Sequence, residues 1–414
     1  MKRRVVVTGM GAITPVGNDV ATTWRALLDA KSGAAAITHF DASKFPVRFA
    51  CEVKGFDPLQ YMEKKEAKRT DQFTQYAVAA ASEAMTHAGL AERNGYDPDR
   101  IGVIIGSGIG GLKIFEEQHD VYRQRGPGKI SPFFIPMFIS DIAAGVVSMQ
   151  FNAKGPNYGT VSACATSAHA VGDAYRTIQY GDADVMITGG AEAAVTPMAM
   201  GGFANMKALS ERNDSPETAS RPFDATRDGF VMGEGSGIAI LEELEHARAR
   251  GAKIYAEIVG YGATGDAYHL TAPAPHGEGA QRAMKRALND AGLEPADIQY
   301  INAHGTSTPA NDLNETDAIK AVFGDAAKTV NVSSTKSAIG HMLGAAGAIE
   351  FVISTLVVGE GIIPPTINYQ TPDPECDLNY TPNAAVKRDV TAVLSNSFGF
   401  GGHNTTLAVK RFVD

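Results

Sequence analysis

The sequence predicts an α/β fold, and three observations carry that prediction. Short apolar, β-prone runs alternate with segments of helical period along the whole chain. The runs are nearly continuous in apolar character, which suits strands covered by helices on both faces. The same order of segments also occurs twice, the signature of an internal repeat.

Taken in order, strands are expected at residues 4–8, 101–105, 185–188, 238–241, 255–259, 298–303 and 393–395. Between them, Ala168, Val171, Tyr175 and Ile178 fall at steps of three and four, as do Ala280, Met284, Leu288 and Ala291. That spacing lines one face of a helix. The repeat is carried by three echoes. RRVVVTGMG from Arg3 matches KIYAEIVGYG from Lys253, and RIGVIIGSG matches IQYINAHGTS. VSACATSAHAVG from Val161 matches VSSTKSAIGHMLG from Val332. Two halves are expected, 1–252 and 253–414, with residues 106–152 and 197–227 as insertions in the first.

At 414 residues, 44% apolar and 20% charged, the chain can bury a sizeable core. A net charge of −9 argues against a general nucleic-acid binder, because phosphate neutralisation needs a basic surface. Cys51, Cys164 and Cys376 are far apart without CxxC spacing. That excludes a disulfide framework and a cysteine-rich zinc site, and it fits a reducing, cytoplasmic setting. The opening MKRRVVVTG has too short an apolar stretch for a signal peptide. The longest apolar tract, residues 345–363, is interrupted by Glu350 and Glu360 and is expected not to span a membrane.

Cys164 follows a strand-like run at 159–163 and precedes the helical period that begins at Ala165. A helix N-terminus there would favour thiolate; the bland alternative is a small buried hydrophobe. Cys51 and Cys376 have no such setting and read as core. His304 ends the run IQYINAH, and His341 lies in GHMLG, read as a helix start, with Lys336 five residues before it. Each alone is an ordinary polar residue; with a thiol they form a coherent nucleophilic set. A rival signal is Gly106, Gly108 and Gly111, a G-x-G-x-x-G after a strand, as in dinucleotide-binding oxidoreductases. The following RQRGPGKISPFF is basic and proline-broken, where a second strand and an acidic residue belong. A non-catalytic scaffold would leave the thiol, histidines and lysine unexplained. A degradative thiolase-like enzyme would need a second catalytic cysteine.

The stretches VSACATS, NAHGTSTP, SSTKSAIGHMLGAAG, NSFGFGGHN and RPFDATRDGFVMGEG together resemble the β-ketoacyl-acyl-carrier-protein synthases, end to end. The Cys-His-His set is similar to the elongating synthase II type of bacterial fatty acid synthesis; initiating members carry Cys-His-Asn. The resemblance implies a thiolase-like fold of duplicated halves in five αβαβα layers, a homodimer and no cofactor or metal. It implies that Cys164 carries the acyl chain while His304 and His341 stabilise the enolate from malonyl-acyl-carrier protein. Lys336 would shape the field, paired with Glu350, and the backbone of Cys164 and Phe400 would hold the acyl oxyanion, Phe400 also acting as a gate. Thr306, Thr308 and Thr271 would bind the phosphopantetheine arm, and Ile109, Phe134 and Phe203 the acyl chain. Lys64, Lys65, Lys68 and Arg69, extended by Arg123, Arg125, Lys129 and Lys207, would meet the acidic carrier protein. Without the resemblance, Glu63 and Glu66 among those lysines suggest a solvated face. A ketosynthase of a polyketide or other specialised pathway is the alternative function.

Overall fold

The computed structural model describes residues 2–92 and 96–413. Among these residues, ten strands join both halves of the chain into one sheet. They are β1 (Val5–Ile13), β2 (Ile101–Gly106), β3 (Asn157–Tyr158), β4 (Val185–Glu192), β5 (Gly235–Glu243), β6 (Ala256–Gly265), β7 (Tyr300–Asn302), β8 (Asn331–Ser333), β9 (Ala392–Gly399) and β10 (His403–Lys410). The helices that build the layers and the site are α1 (Gln72–His87), α2 (Leu112–Arg125), α3 (Ile142–Phe151), α4 (Thr166–Tyr180), α5 (Pro197–Asn205), α6 (Glu278–Ala291), α7 (Pro309–Phe323) and α8 (Ala346–Glu360).

The sheet order is β8-β7-β9-β10-β6-β1-β5-β4-β2-β3. From the central seam outward, the two sides match: β1-β5-β4-β2-β3 on one, β6-β10-β9-β7-β8 on the other. Pairing sense matches as well. The two inner pairs of each side are antiparallel and the two outer pairs parallel. Two of the three sequence echoes fall on equivalent strands, β1 with β6 and β2 with β7; in the third, Val332 lies on β8, but residues 161–172 lie beyond β3 in a turn and α4. The halves are not separate sheets, because Val5, Val6 and Val7 pair with Ile258, Glu257 and Ala256.

Helices α4 and α8 pack on each other and on strands from both sides, so they form the middle layer. Helices α1 and α3 cover the outer face of the first half, and α6 and α7 that of the second. Five layers result. The central core mixes Val171 and Ile178 of α4 with Ile349 and Val352 of α8. The stretch Leu343–Glu360 is long and apolar enough to cross a bilayer, but 83% of it is buried inside the protein, in this middle layer.

Paired glycines explain how the outer helices come so close. A Cβ on Gly9 or Gly11 of β1 would lie 2.1 and 1.8 Å from the Ala84 and Ala80 carbonyl oxygens of α1. On Gly260 or Gly262 of β6 it would lie 2.3 and 2.1 Å from those of Ala287 and Ala283 in α6. The duplication therefore extends to the same helix-on-strand contact, which only glycine permits.

Every expected strand exists, most of them longer than the apolar run alone indicates. Residues 159–163 are a correction: the strand stops at Tyr158, and residues 163–165 form a single 3₁₀ turn. Ala163 has φ = 50°, a left-handed conformation incompatible with a strand.

Candidate active site

The nucleophile turn begins where β3 ends. Ala163 is strained at φ = 50° immediately before Cys164, and α4 starts two residues later. Such strain in a non-glycine residue costs about 1–3 kcal/mol and persists only when the surroundings enforce it. Here Gly399 of β9 packs on the turn: a Cβ there would meet the Ser162 carbonyl at 2.7 Å and the Cys164 nitrogen at 3.0 Å. Cys164 is half-buried and faces a cavity, but burial pushes its thiol up to about 12. The Lys336 charge and the backbone N–H groups of Phe400 and Cys164 oppose the rise without cancelling it. The expected bias toward thiolate is thus corrected: desolvation outweighs the helix end. Cys51 and Cys376 are 1% exposed and belong to the core.

His304 lies two residues past β7. Its backbone N–H and that of Gly305 donate to the Glu315 carboxylate at 2.9 and 2.8 Å, so α7 fixes this loop. Asn396 of β9 also donates to Glu315, at 3.2 Å. Burial pushes Glu315 up to about 7, against these donors. His341 is held differently. Its N–H donates to the Val231 carbonyl at 2.7 Å, and its carbonyl accepts from Gly233 at 2.9 Å. That bridge, not a helix start, positions it; α8 begins only at Ala346.

The two imidazoles meet edge to face, ring centres 5.4 Å apart at 84°. Phe398 flanks His304 at 5.6 Å and Phe230 flanks His341 at 5.2 Å. Burial and then the Lys336 charge hold both rings well below the ordinary histidine range. Both are therefore neutral at pH 7. Nδ1 of each is buried without a hydrogen-bond partner among the described residues. Behind them Lys336 is ion-paired with Glu350 of α8.

These groups open on a cavity of about 500 Å³ lined by Cys164, His304, His341, Phe398 and Phe400. Ile109, Phe203, Thr271, Thr306 and Thr308 also line it, while Lys336 and Glu350 sit behind its wall. The Thr306 and Thr308 hydroxyls are 2.9 Å apart. Phe134 is the exception among the expected pocket residues. It packs on Phe115 and Phe138, at 6.3 and 5.7 Å, and lines no part of this cavity. Its short helix, Phe134–Phe138, lies in the first insertion. A larger groove of about 760 Å³ runs past Leu59, Tyr61 and Met149, with no nucleophile in it.

Phe400 stands on a turn made by Gly401 (φ = 86°) and Gly402 (φ = 73°). The turn is tied to the 266–270 loop, Gly401 donating to the Leu270 carbonyl at 2.7 Å and Asp266 to that of Gly402 at 2.9 Å. Of the basic residues, Lys207 reaches the cavity rim and pairs with Glu211 at 3.1 Å. Lys64, Lys65, Lys68, Arg69, Arg123, Arg125 and Lys129 are exposed, with Arg69 over the Phe133 ring at 4.4 Å. Glu63 and Glu66 cap the short helix between them.

The G-x-G-x-x-G turn wraps a carboxylate of the protein itself. Glu192, at the end of β4, accepts from Gly108 and Ile109 at 2.9 and 3.2 Å. The amides that would cradle a phosphate are thereby used up.

Comparison with known proteins decides the family. The β-ketoacyl synthase N-terminal domain matches residues 2–247, and the C-terminal domain matches residues 255–370. The chain belongs to the β-ketoacyl synthase family. It is 57% identical over 410 residues to the 3-oxoacyl-[acyl-carrier-protein] synthase 2 of Staphylococcus aureus, covering 99% of both chains. The Synechocystis protein of the same name is 56% identical over 411 residues, again at 99% coverage of each. Among solved structures, a type II polyketide ketosynthase in complex with its acyl-carrier protein (AntDE:AntF) superposes with a TM-score of 0.92. It is 36% identical and covers 100% of both chains.

For a β-ketoacyl synthase, the residues that sequence reasoning missed are mostly those that hold the loops. Glu315 and Glu192 look like ordinary surface acids in the sequence. Only the glycine-rich turns they serve, Gly305 and Gly108, hint at a buried acceptor nearby.

Proposed function

We propose that this β-ketoacyl synthase elongates fatty acyl chains by decarboxylative Claisen condensation, with Cys164 as acyl carrier and His304 and His341 as enolate donors. One observation carries the proposal: a thiol and two neutral imidazoles converge on one apolar-walled cavity.

In the first half-reaction the Cys164 sulfur attacks the carbonyl of an acyl-carrier thioester. A new C–S bond forms, the old one breaks, and the thiol proton leaves with the carrier thiol. Because the thiol is protonated at rest, proton loss accompanies attack. In the second, the malonyl carboxylate departs as carbon dioxide, and its electron pair becomes an enolate at the thioester oxygen. A neutral imidazole has one N–H to donate, so two rings supply two donors aimed at that charge. The enolate carbon attacks the Cys164 thioester. The N–H groups of Cys164 and Phe400 receive the oxyanion, and its collapse returns the sulfur, which takes up one proton.

Phe400 acts as the gate, since its glycine-flanked turn is the mobile-capable wall of the cavity. Lys336 and Glu350 tune the field from behind. Thr306, Thr308 and Thr271 receive the phosphopantetheine arm, and Ile109 and Phe203 the acyl chain. The carrier protein docks on Lys64, Lys65, Lys68, Arg69, Arg125, Lys129 and Lys207, by charge complementarity with an acidic partner. A second copy of the chain pairs through the β3 edge. Exposed Met149, Tyr158 and Val161, at 70%, 43% and 62%, support that interface. We set the join between the halves at 252/253, and the mirrored strand order supports it. The free cysteines suit the cytoplasm. The 57% identity to synthase 2 proteins favours fatty acid elongation over the polyketide role of a 36% identical neighbour.

The experiment is mass spectrometry of the protein after incubation with acyl-carrier protein. Wild type should gain one acyl group on Cys164, and Cys164→Ser none. An adduct on Cys51 or Cys376 would overturn the assignment.

A further inference from the structure

Glu192 is 0% exposed, has no place in the chemistry above, and accepts from four donors among the described residues. Its Oε1 accepts from the Ser107 hydroxyl at 2.9 Å and the Ile109 N–H at 3.2 Å. Its Oε2 accepts from the Gly108 and Gly344 N–H groups, both at 2.9 Å. The Ser107 hydroxyl in turn accepts from Gly110 at 3.0 Å.

These donors come from two places. Residues 107–110 follow β2 in the first half and carry Ile109 into the cavity. Gly344 precedes α8 in the second half, three residues after His341. The loops touch through their backbones at the carboxylate. A Cβ on Gly344 would lie 2.3 Å from the Gly108 nitrogen and 2.7 Å from Glu192 Oε2. A Cβ on Gly108 would lie 2.8 Å from the same oxygen. The site admits no side chain besides Glu192.

We propose that Glu192 is a positioning residue for the condensation, clamping the Ile109 loop of one half to the His341 loop of the other. The proposal rests on the function proposed above, which gives those two loops their roles. A carboxylate suits the task because it only accepts, and these four groups donate. Its charge also acts on the nucleophile: burial pushes Glu192 up while its donors oppose this, and its negative charge adds to the rise of the Cys164 thiol. Clamp and charge thus have opposite effects on the two half-reactions, which a purely structural role would not produce.

The test is Glu192→Gln. With the amide oxygen kept on Gly108 and Gly344, the amide nitrogen faces the Ile109 N–H, and that contact is lost. Condensation kcat with a long acyl primer should fall about tenfold, the worth of a charge-assisted hydrogen bond, with KM for malonyl-carrier protein within about twofold. Alkylation of Cys164 at pH 8 should become faster, because the opposing charge is gone. Unchanged kcat, or alkylation that is unchanged or slower, overturns the proposal. If the variant does not fold, Ser107→Ala removes one donor and the support of Gly110. It should lower kcat in the same sense by about threefold, and an unchanged kcat overturns the proposal equally. A wild-type protein that never condenses would sink the proposed function, while the alkylation comparison would still report on Glu192.

Discussion

Lys336 and Glu350 form an ion pair with side chains only 2% and 1% exposed, directly behind the two histidines. Burial pushes the Glu350 carboxyl up and the ammonium pulls it back. The same ammonium is the second cause, after burial, of the low basicity of both imidazoles.

Lys336→Met therefore has two expected effects. Breaking a buried pair from one side typically costs about 3–5 kcal/mol, readable as a shift in urea denaturation. The histidine pKa values should also move up, because one cause of their lowering is gone. A lowered histidine pKa means protonation only at pH well below 6.5. In labelled-histidine NMR, wild-type His304 and His341 should thus show no titration between pH 6 and 8. In the variant their titration should begin at higher pH than in wild type. A wild-type midpoint near 6.5 would contradict the neutral-donor assignment.

His304→Ala and His341→Ala separate the half-reactions. Loss of one donor aimed at developing charge typically costs about 10²–10³ in rate. Carbon dioxide release from malonyl-carrier protein should fall by that factor. Acyl transfer to Cys164 should keep a measurable fraction, because the backbone donors remain. Surviving decarboxylation with collapsed acyl transfer would make the histidines bases for the thiol.

The thiol itself titrates where burial puts it. With a pKa of about 12, iodoacetamide alkylation of Cys164 should rise about tenfold per pH unit from 7 to 9. A plateau below pH 8 would mean that the α4 N-terminus stabilises thiolate after all.

Lys65→Glu with Lys68→Glu should weaken turnover of carrier-protein substrates while sparing small pantetheine thioesters, which carry no acidic surface. The difference should shrink at high salt, since exposed charges are screened over about 8–10 Å. Equal loss with both substrates would place the damage in the cavity or the fold.

The α/β class and the candidate thiol and histidines were legible because they depend on local pattern, while the five layers and the residues' roles came only from the family resemblance. The periods of α4 and α6 appear as apolar steps, Cys164 and His304 follow strand-like runs, and His341 stands between glycines in GHMLG. What stayed hidden depends on contacts between distant residues. Strand β10 escaped notice because Asn404, Thr405 and Thr406 are polar yet buried, Thr406 donating to Asn396 at 2.8 Å. Residues 159–163 looked like a strand because alternation cannot reveal a positive φ at Ala163. The glycine-rich turn looked like a phosphate cradle because its occupant, Glu192, is 84 residues away from Gly108. The high thiol pKa followed from desolvation, which position relative to a helix end does not report.

The placement of β1 has a consequence for how the protein is made. All nine of its residues are buried, and its sheet partners are β5 and β6. Strand β1 thus waits for residue 235 before either neighbour exists. At about 5–20 residues per second, VVVTGMGAI stays unpaired for roughly ten to fifty seconds on the ribosome. Such long-range closure makes for slow folding and an aggregation-prone interval. Ribosome-bound chains ending before Gly235 should accordingly be cut by protease within residues 5–13, and chains released at full length should be protected there.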